Sequence, residues 1–311
     1  MKVLIICSGN SGSISPFIQD QAESLEKYGV TIDYFLIRGH GVLGYLKNLS
    51  ILKKHINSCK PDLIHAHYGL SGLLAAMQRK IPVIVTFHGS DINVKKNVKY
   101  SYLAAKLSKE NIFVHSDLPR KIIYSKTSVN IIPCGVDLNV FYPDKSKRDQ
   151  RNSAQDIKEK KVLFASRFSN PVKNYTLARK AVELLADNVK LIELKGYSRS
   201  EVNRLMNSVD LLLVTSHSET GPLVVKEAIA ANCPIVSTDV GDVREVIGET
   251  EGCYITSFEP GDVADKIKMA LEFSEKRGMM QGRQRIIELG LDSENVVKRI
   301  INVYEQVLGE R

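Results

Sequence analysis

Residues 210–230 read DLLLVTSHSETGPLVVKEAIA. Asp210 to Ser216 form an apolar run closed by small polar residues, the pattern of a strand buried on both faces. Gly221 and Pro222 then open a helix, proline being suited to a helix's first position. His217 to Gly221 therefore form the loop at the strand's carboxyl end. A buried strand that turns straight into a helix is half of a βαβ unit. It predicts a parallel sheet with helices on both faces.

The helix carries an anomaly. Glu227 lies among Val224, Val225, Ala228, Ile229 and Ala230, and burying an unpaired carboxylate is costly. Lys226 is adjacent, but residues i and i+1 do not face each other on a helix. Two readings stay open. Glu219 and Glu227 together can hold sugar hydroxyls, which carboxylate pairs accept well; alternatively Glu227 bonds a backbone N–H or an Arg from a neighbouring loop.

The same alternation extends in both directions. Ahead of it come KVLFAS and VKLIEL, and after it CPIVSTD and GCYIT, with helical stretches between. Further upstream KVLIIC, VTIDYFLI, DLIHAH, PVIVTF, NIFVH and VNIIP repeat the pattern. Between the two series, PDKSKRDQRNSAQDIKEKK is polar and charge-rich, as linkers are. The expected organisation is a first doubly wound domain over 1–143, a linker over 144–160 and a second domain over 161–291. A last segment, 292–311, is a helix opened by Asp292 and Ser293 that packs back on the first domain. Two such domains facing a cleft bind ligands at the carboxyl ends of their strands.

Composition narrows the classes. The chain has 311 residues and a net charge of +8. Residues 1–142 hold 17 Lys and Arg against 9 Asp and Glu, and the remainder 26 against 26, so the whole surplus lies in the first part. Solvated helix faces, the default reading, a nucleic-acid surface, and an anionic membrane or polyanionic substrate each fit a basic excess. No nucleic-acid motif accompanies the lysines. Lysine mixed with Tyr and Leu in NVKKNVKYSYLAAKLSK suits a membrane interface. The five cysteines (Cys7, Cys59, Cys134, Cys233, Cys253) are scattered, which fits buried thiols in a reducing compartment. No apolar run reaches membrane-spanning length, and the first is too short for a signal peptide.

In FASRFSNPVKN, Arg167 follows a strand and Lys173 lies six residues on. A guanidinium fork, an ammonium and a helix N-terminus converging on one anion suit a diphosphate. Two surface cations in a loop remain the alternative. GHGVLG (Gly39, Gly41, Gly44) fits G-x-G-x-x-G, but it follows the second strand, and Asp62 begins the next strand instead of ending it. A flexible loop is the preferred reading over a nicotinamide site. His65 and His67 share one strand face without a third ligand at recognisable spacing, so no metal site is expected.

Taken together these residues resemble the family 4 retaining glycosyltransferases of the GT-B fold. The E-x7-E layout is matched by Ser216, Glu219, Pro222, Glu227 and Ala228, and the R-x5-K pair by Arg167 and Lys173. IPCGVDLNVFYP, IHAHYG, TFHGSD and STDVGDVREVI are similar to further segments of the family. The resemblance departs in the first loop, SGNSGSISP, where only Gly12 stands for the usual Gly-Gly. It departs again at VKLIELKGYSRSEV, where one unit looks shortened.

The resemblance implies that Glu227 holds ribose hydroxyls of a UDP-sugar or GDP-sugar donor and Glu219 those of the transferred sugar. Backbone groups of Thr220, Gly221, Pro222 and Leu223 assist, and the base lies near Tyr197. Arg167 and Lys173 would neutralise the leaving diphosphate, and Gly12 would let the first loop approach it. His88 would sit by the anomeric centre, with His67, Tyr68 and Asp91 on the acceptor side. D-x-D is missing from the sequence, so no metal or other cofactor is expected. The implied activity is retaining, metal-independent hexosyl transfer to a glycan or lipid-linked acceptor in surface polysaccharide synthesis. The expected location is the cytoplasm, at the inner face of the plasma membrane. Two rivals are a nicotinamide-dependent sugar-nucleotide oxidoreductase and a non-catalytic nucleotide-sugar-binding module of the same fold.

Overall fold

The computed structural model describes residues 1–122, 128–144, 159–185, 188–276 and 280–309. The chain divides into two compact units, Met1–Cys134 with Ser293–Arg311, and Gly135–Asp292.

The first unit is a six-stranded parallel sheet. Its strands are β1 (Lys2–Ser8), β2 (Thr31–Ile37), β3 (Leu63–His67), β4 (Val83–Phe87), β5 (Glu110–Phe113) and β6 (Asn130–Ile131), in the order β2-β1-β3-β4-β5-β6. β3 and β4 are buried at every position, which is why they read as unbroken apolar runs. Successive side chains of a strand point to opposite faces. Val3 and Ile5 accordingly join one core, and Leu4 and Ile6 another.

The helix Ser293–Gly309 belongs to this unit. Val296, Val297, Ile300, Val303, Tyr304 and Val307 recur at helical spacing and pack with Val3, Ile5, Leu63 and Ile84.

The second unit is a five-stranded parallel sheet of β7 (Lys160–Phe164), β8 (Val189–Glu193), β9 (Leu211–Val214), β10 (Ile235–Thr238) and β11 (Cys253–Thr256), in the order β11-β10-β9-β7-β8. Leu211 and Leu213 face a core with the helices Tyr175–Glu183 and Pro260–Glu275, while Leu212 and Val214 face the core of Leu223–Ala230.

The second unit begins at Gly135, ahead of the expected boundary at 143. Phe141 is the reason. It is fully buried among second-unit residues, and its carbonyl accepts from Arg283 Nη1 at 2.9 Å. Tyr142 N–H donates to Asn203 and Asp144 N–H to Asn207. Val136 pairs in parallel with Asp292, so the segments entering and leaving the unit run side by side. Residues 145–158 of the expected linker lie outside the described residues.

All five cysteines are free thiols. Among the described residues, no helix is long and apolar enough to cross a membrane.

Candidate functional site

In the second unit the chain passes from β7 to the edge strand β8, then returns to pair β9 on the other side of β7. Connections leaving neighbouring strands in opposite directions open a crevice at the strands' carboxyl ends, where ligands bind. The loops at this point are 165–174 after β7 and 215–222 after β9. They are stitched together. Thr215 Oγ1 donates to the carbonyls of Lys173 and Asn174, both at 3.0 Å, and His217 N–H donates to Val172 at 2.9 Å. Glu193, ending β8, accepts from Phe168 N–H at 2.8 Å.

Lys173 forms an ion pair with Glu219, and Ser216 Oγ donates to the same carboxylate oxygen at 2.7 Å. Lys173 sits in the 3-10 turn Pro171–Lys173; the helix itself starts at Tyr175. Arg167 is exposed and its side chain pairs with none of the described residues. The helix expected to start at Pro222 starts at Leu223, with Pro222 as its N-cap and no side-chain capping bond. Its first-turn N–H groups and two cations thus lie on the rim of one crevice, the requirement for holding a diphosphate.

Glu227 is buried, 5% exposed, and Arg199 is its ion-pair partner. The Arg199 guanidinium also lies 4.7 Å from the centroid of Phe141. The arginine of a neighbouring segment is therefore real, and it sits beside the Tyr197 loop. Tyr197 itself is exposed. Lys226 is 1% exposed and pairs with Asp242 at 3.0 Å.

Asp242 in turn backs onto the loop. A Cβ on Gly221 would come within 3.0 Å of Asp242 Oδ2. Gly241, at φ 57°, leaves only 2.5 Å between a hypothetical Cβ and the Thr220 carbonyl. The 241–242 turn thus packs against the 219–222 loop, Gly241 by its backbone and Asp242 by its carboxylate.

In the first unit the order reverses between β1 and β3. Gly12, at φ 85° with open space around it, lies in the loop after β1. A column of histidines crosses the β3 and β4 ends. His65 Nδ1 bonds Tyr304 Oη at 2.6 Å and His65 Nε2 bonds Thr86 Oγ1 at 2.7 Å. The His65 ring stacks on His67 at 4.6 Å, and His67 Nδ1 bonds His88 Nε2 at 3.0 Å. Tyr68 packs on His88 and holds φ 73°, a value costly for a residue with a side chain.

His67, expected to line the cleft on the acceptor side, is fully buried and bonds the half-buried His88. Asp91 is buried too, and both its oxygens accept backbone N–H bonds, from Gly69, His88 and Gly89. It holds the His88 turn in place.

Burial pushes His65 and His88 down to about 3 and His67 well below the ordinary histidine range. These rings are neutral in the folded protein above that pH. Between about pH 3 and the ordinary histidine value the unfolded chain binds protons that the folded chain refuses, so stability falls as pH falls. Each histidine contributes about 1.4 kcal/mol per pH unit. Burial also raises Asp91 to about 6. There the folded chain binds the extra proton, which offsets one of the three below that pH. Urea melts from pH 7 to pH 5 are expected to show a loss that steepens below about pH 6.5, toward the slope of two histidines once Asp91 takes up its proton. Replacing His65 by Asn should flatten it.

The structure brings Lys173, Ser216 and Glu219 together and places Arg167, Thr220, Gly221 and Pro222 on the same two loops, with Leu223 opening the helix that follows. His67, Tyr68, His88 and Asp91 cluster in the first unit. The Gly39–Gly44 segment is not a flexible loop: it packs on itself and leads into the short helix Gly41–Leu46. A Cβ on Gly44 would come within 2.8 Å of Gly39 carbon, and Asn10 and Asn48 side chains bond its backbone. Sequence reasoning missed Arg199, Asp242 and Tyr304. Glu227 and Lys226, charges in an oily helix, gave a visible signal for the first two of these partners, and nothing did for Tyr304.

Two family profiles match the chain. "Glycosyltransferase Family 4" matches residues 2–140 and "Glycosyl transferases group 1" residues 185–285. The UDP-Gal:alpha-D-GlcNAc-diphosphoundecaprenol alpha-1,3-galactosyltransferase of Escherichia coli is 24% identical, over 95% of this chain and 86% of that one. Among solved structures, the sucrose-phosphate synthase of Thermosynechococcus elongatus aligns with a TM-score of 0.83 at 17% identity, over the whole of both chains. Anabaena HepE in complex with UDP-glucose aligns at 0.75 and 18% identity, over 98% of this chain and 100% of that one. With both profiles matched in chain order and two parallel-sheet units to carry them, the chain belongs to glycosyltransferase family 4 and has the GT-B fold.

Proposed function

We propose that this glycosyltransferase moves a hexosyl or N-acetylhexosaminyl group from a UDP-sugar or GDP-sugar to a glycan or lipid-linked glycan, with retention and without a metal. The observation that carries the reading is the crevice of the second unit, where Arg167 and the Lys173–Glu219 pair border an uncapped helix start. Lys173 is neutralised by Glu219 in the free protein, so an arriving diphosphate would compete for it and release the carboxylate toward the sugar. Glu227, held by Arg199, is read as the ribose acceptor. The relative that acts on a diphosphoundecaprenol-linked sugar and the neighbour bound to UDP-glucose support a sugar nucleotide and a lipid-linked acceptor.

In the proposed reaction the bond from the anomeric carbon to the diphosphate oxygen breaks. The acceptor oxygen bonds the same face of that carbon, and its proton passes to the departing diphosphate. Arg167, Lys173 and the helix N–H groups stabilise the charge that builds on the leaving group, the term that usually dominates such catalysis. His88, held neutral, serves as a polar wall on the acceptor side with Tyr68, and not as a proton donor.

The test is a thermal-shift screen with UDP, GDP, ADP and their hexose conjugates, followed by turnover of whichever donor binds. UDP or GDP compounds should raise the midpoint, and the conjugate should be consumed only when acceptor is present. No shift with any nucleotide would sink the reading; binding without turnover would leave a nucleotide-sugar-binding module.

The enzyme is further proposed to work at the inner face of the plasma membrane. Leu43 (77% exposed) and Ile51 (57% exposed) project from a segment that also carries exposed Lys47, Lys53 and Lys54. Apolar anchors among lysines suit an anionic bilayer surface. Vesicles containing anionic lipid should sediment the protein at low salt and release it as screening increases. Equal binding to neutral vesicles would remove this assignment.

A further inference from the structure

We propose that Asp33, His55 and Cys59 form a site for one divalent cation of the zinc class on the edge of the first unit. Asp33 lies on β2, the edge strand, and His55 and Cys59 lie on the helix Leu49–Cys59. The two helical residues are four apart and share a face, the spacing by which one helix commonly supplies two ligands.

One ligand atom from each of the three side chains lies within 4.8 Å of the other two. His55 Nε2 is 3.7 Å from Asp33 Oδ1. Two ligands of one tetrahedral zinc ion, each about 2.0–2.2 Å from it, stand only slightly closer than that. His55 Nε2 is buried and has no hydrogen-bond partner among the described residues. Its ring rests against Phe35 at 5.6 Å, which limits where the nitrogen can point.

The neighbours are compatible with an ion. Tyr34 N–H holds Asp33 Oδ1 at 2.8 Å, and a carboxylate oxygen so bonded retains a second acceptor direction. Lys2 Nζ stands 3.8 Å from the other oxygen, Oδ2. Besides Asp33, the thiol of Cys59 has a long contact to Ile56 carbonyl, 4.0 Å. On metal binding that thiol would give its proton to solvent, since the thiolate is the ligand. Three protein ligands with partly exposed side chains leave the fourth position to water.

Asp33 is the third residue of β2 and pairs with Leu4, well before the carboxyl ends where the candidate reaction residues lie. The ion would tie helix Leu49–Cys59 to the sheet edge and act on stability, not on sugar transfer.

The test uses the full chain, freed of metal by chelator and titrated with Zn2+ by calorimetry and with Co2+ by absorption. One equivalent should bind, the thermal midpoint should rise with Zn2+, and Co2+ should give a sulfur-to-cobalt charge-transfer band. Cys59→Ser should lose the band, and His55→Asn combined with Cys59→Ser should lose the whole equivalent. Equal midpoints of variants and wild type in chelator would show that the fold is kept. Uptake no greater than in the double variant, or a band that survives Cys59→Ser, would overturn the site.

Discussion

Arg167→Ala is expected to lower the rate of sugar transfer about 10²–10³-fold, the usual cost of removing one preorganised group that meets developing charge. The same substitution should leave the thermal midpoint of the free protein where it was. Arg167 is exposed and pairs with none of the described residues, so nothing in the folded chain is left unsatisfied when it goes. Arg167→Lys should recover only part of the rate, because an ammonium cannot form the two parallel bonds a guanidinium makes to a phosphate. Lys173→Ala offers a contrast. It removes the partner of Glu219 and should disturb both the loop and the rate. Initial rates and thermal melts on the same preparations separate the two. An Arg167→Ala enzyme as fast as wild type would withdraw the diphosphate from this crevice.

The strands were readable because parallel strands covered on both faces must be apolar at nearly every position. DLLLVTS and PVIVTF could hardly be anything else, and each of the eleven runs became a strand. The break between the units was less legible. Phe141 sits in a stretch rich in turn formers and charges, and composition alone assigns it to the first domain. It belongs to the second because a buried pocket there takes its ring.

In the site, the loops were located by what precedes and follows them, but partners were not. Glu227 was conspicuous, yet its arginine is 28 residues away and comes from an exposed-looking helix start. Tyr304 meets His65 across 239 residues of sequence. Strand alternation puts His65 and His67 on one face, but it cannot say that β4 will bring His88 alongside or that Asp91 will spend its carboxylate on backbone N–H groups. Each of these contacts depends on which strands become neighbours, and that is decided by topology, not by local pattern.

Lys226 and Asp242 give the largest expected effect on stability. Asp242→Ala would leave the Lys226 ammonium buried, 1% exposed, after loss of a carboxylate oxygen at 3.0 Å. Removing one partner of a buried ion pair costs about 3–5 kcal/mol, and in a domain the size of the second unit each kcal/mol moves the midpoint by about 2–4 °C. Replacing both residues, Lys226→Met with Asp242→Ala, should restore much of the loss, because a buried ion pair returns little more than its own desolvation cost. The double variant should nevertheless bind donor poorly. Asp242 lies against Gly221, and its neighbour Gly241 against the Thr220 carbonyl, so the pair sets the height of the loop that carries Glu219. Urea melts and nucleotide titrations on the three proteins resolve these terms. Asp242→Ala within about 1 kcal/mol of wild type would mean that the buried ammonium finds other compensation. A double variant with wild-type donor affinity would mean that the loop stands without the pair beneath it.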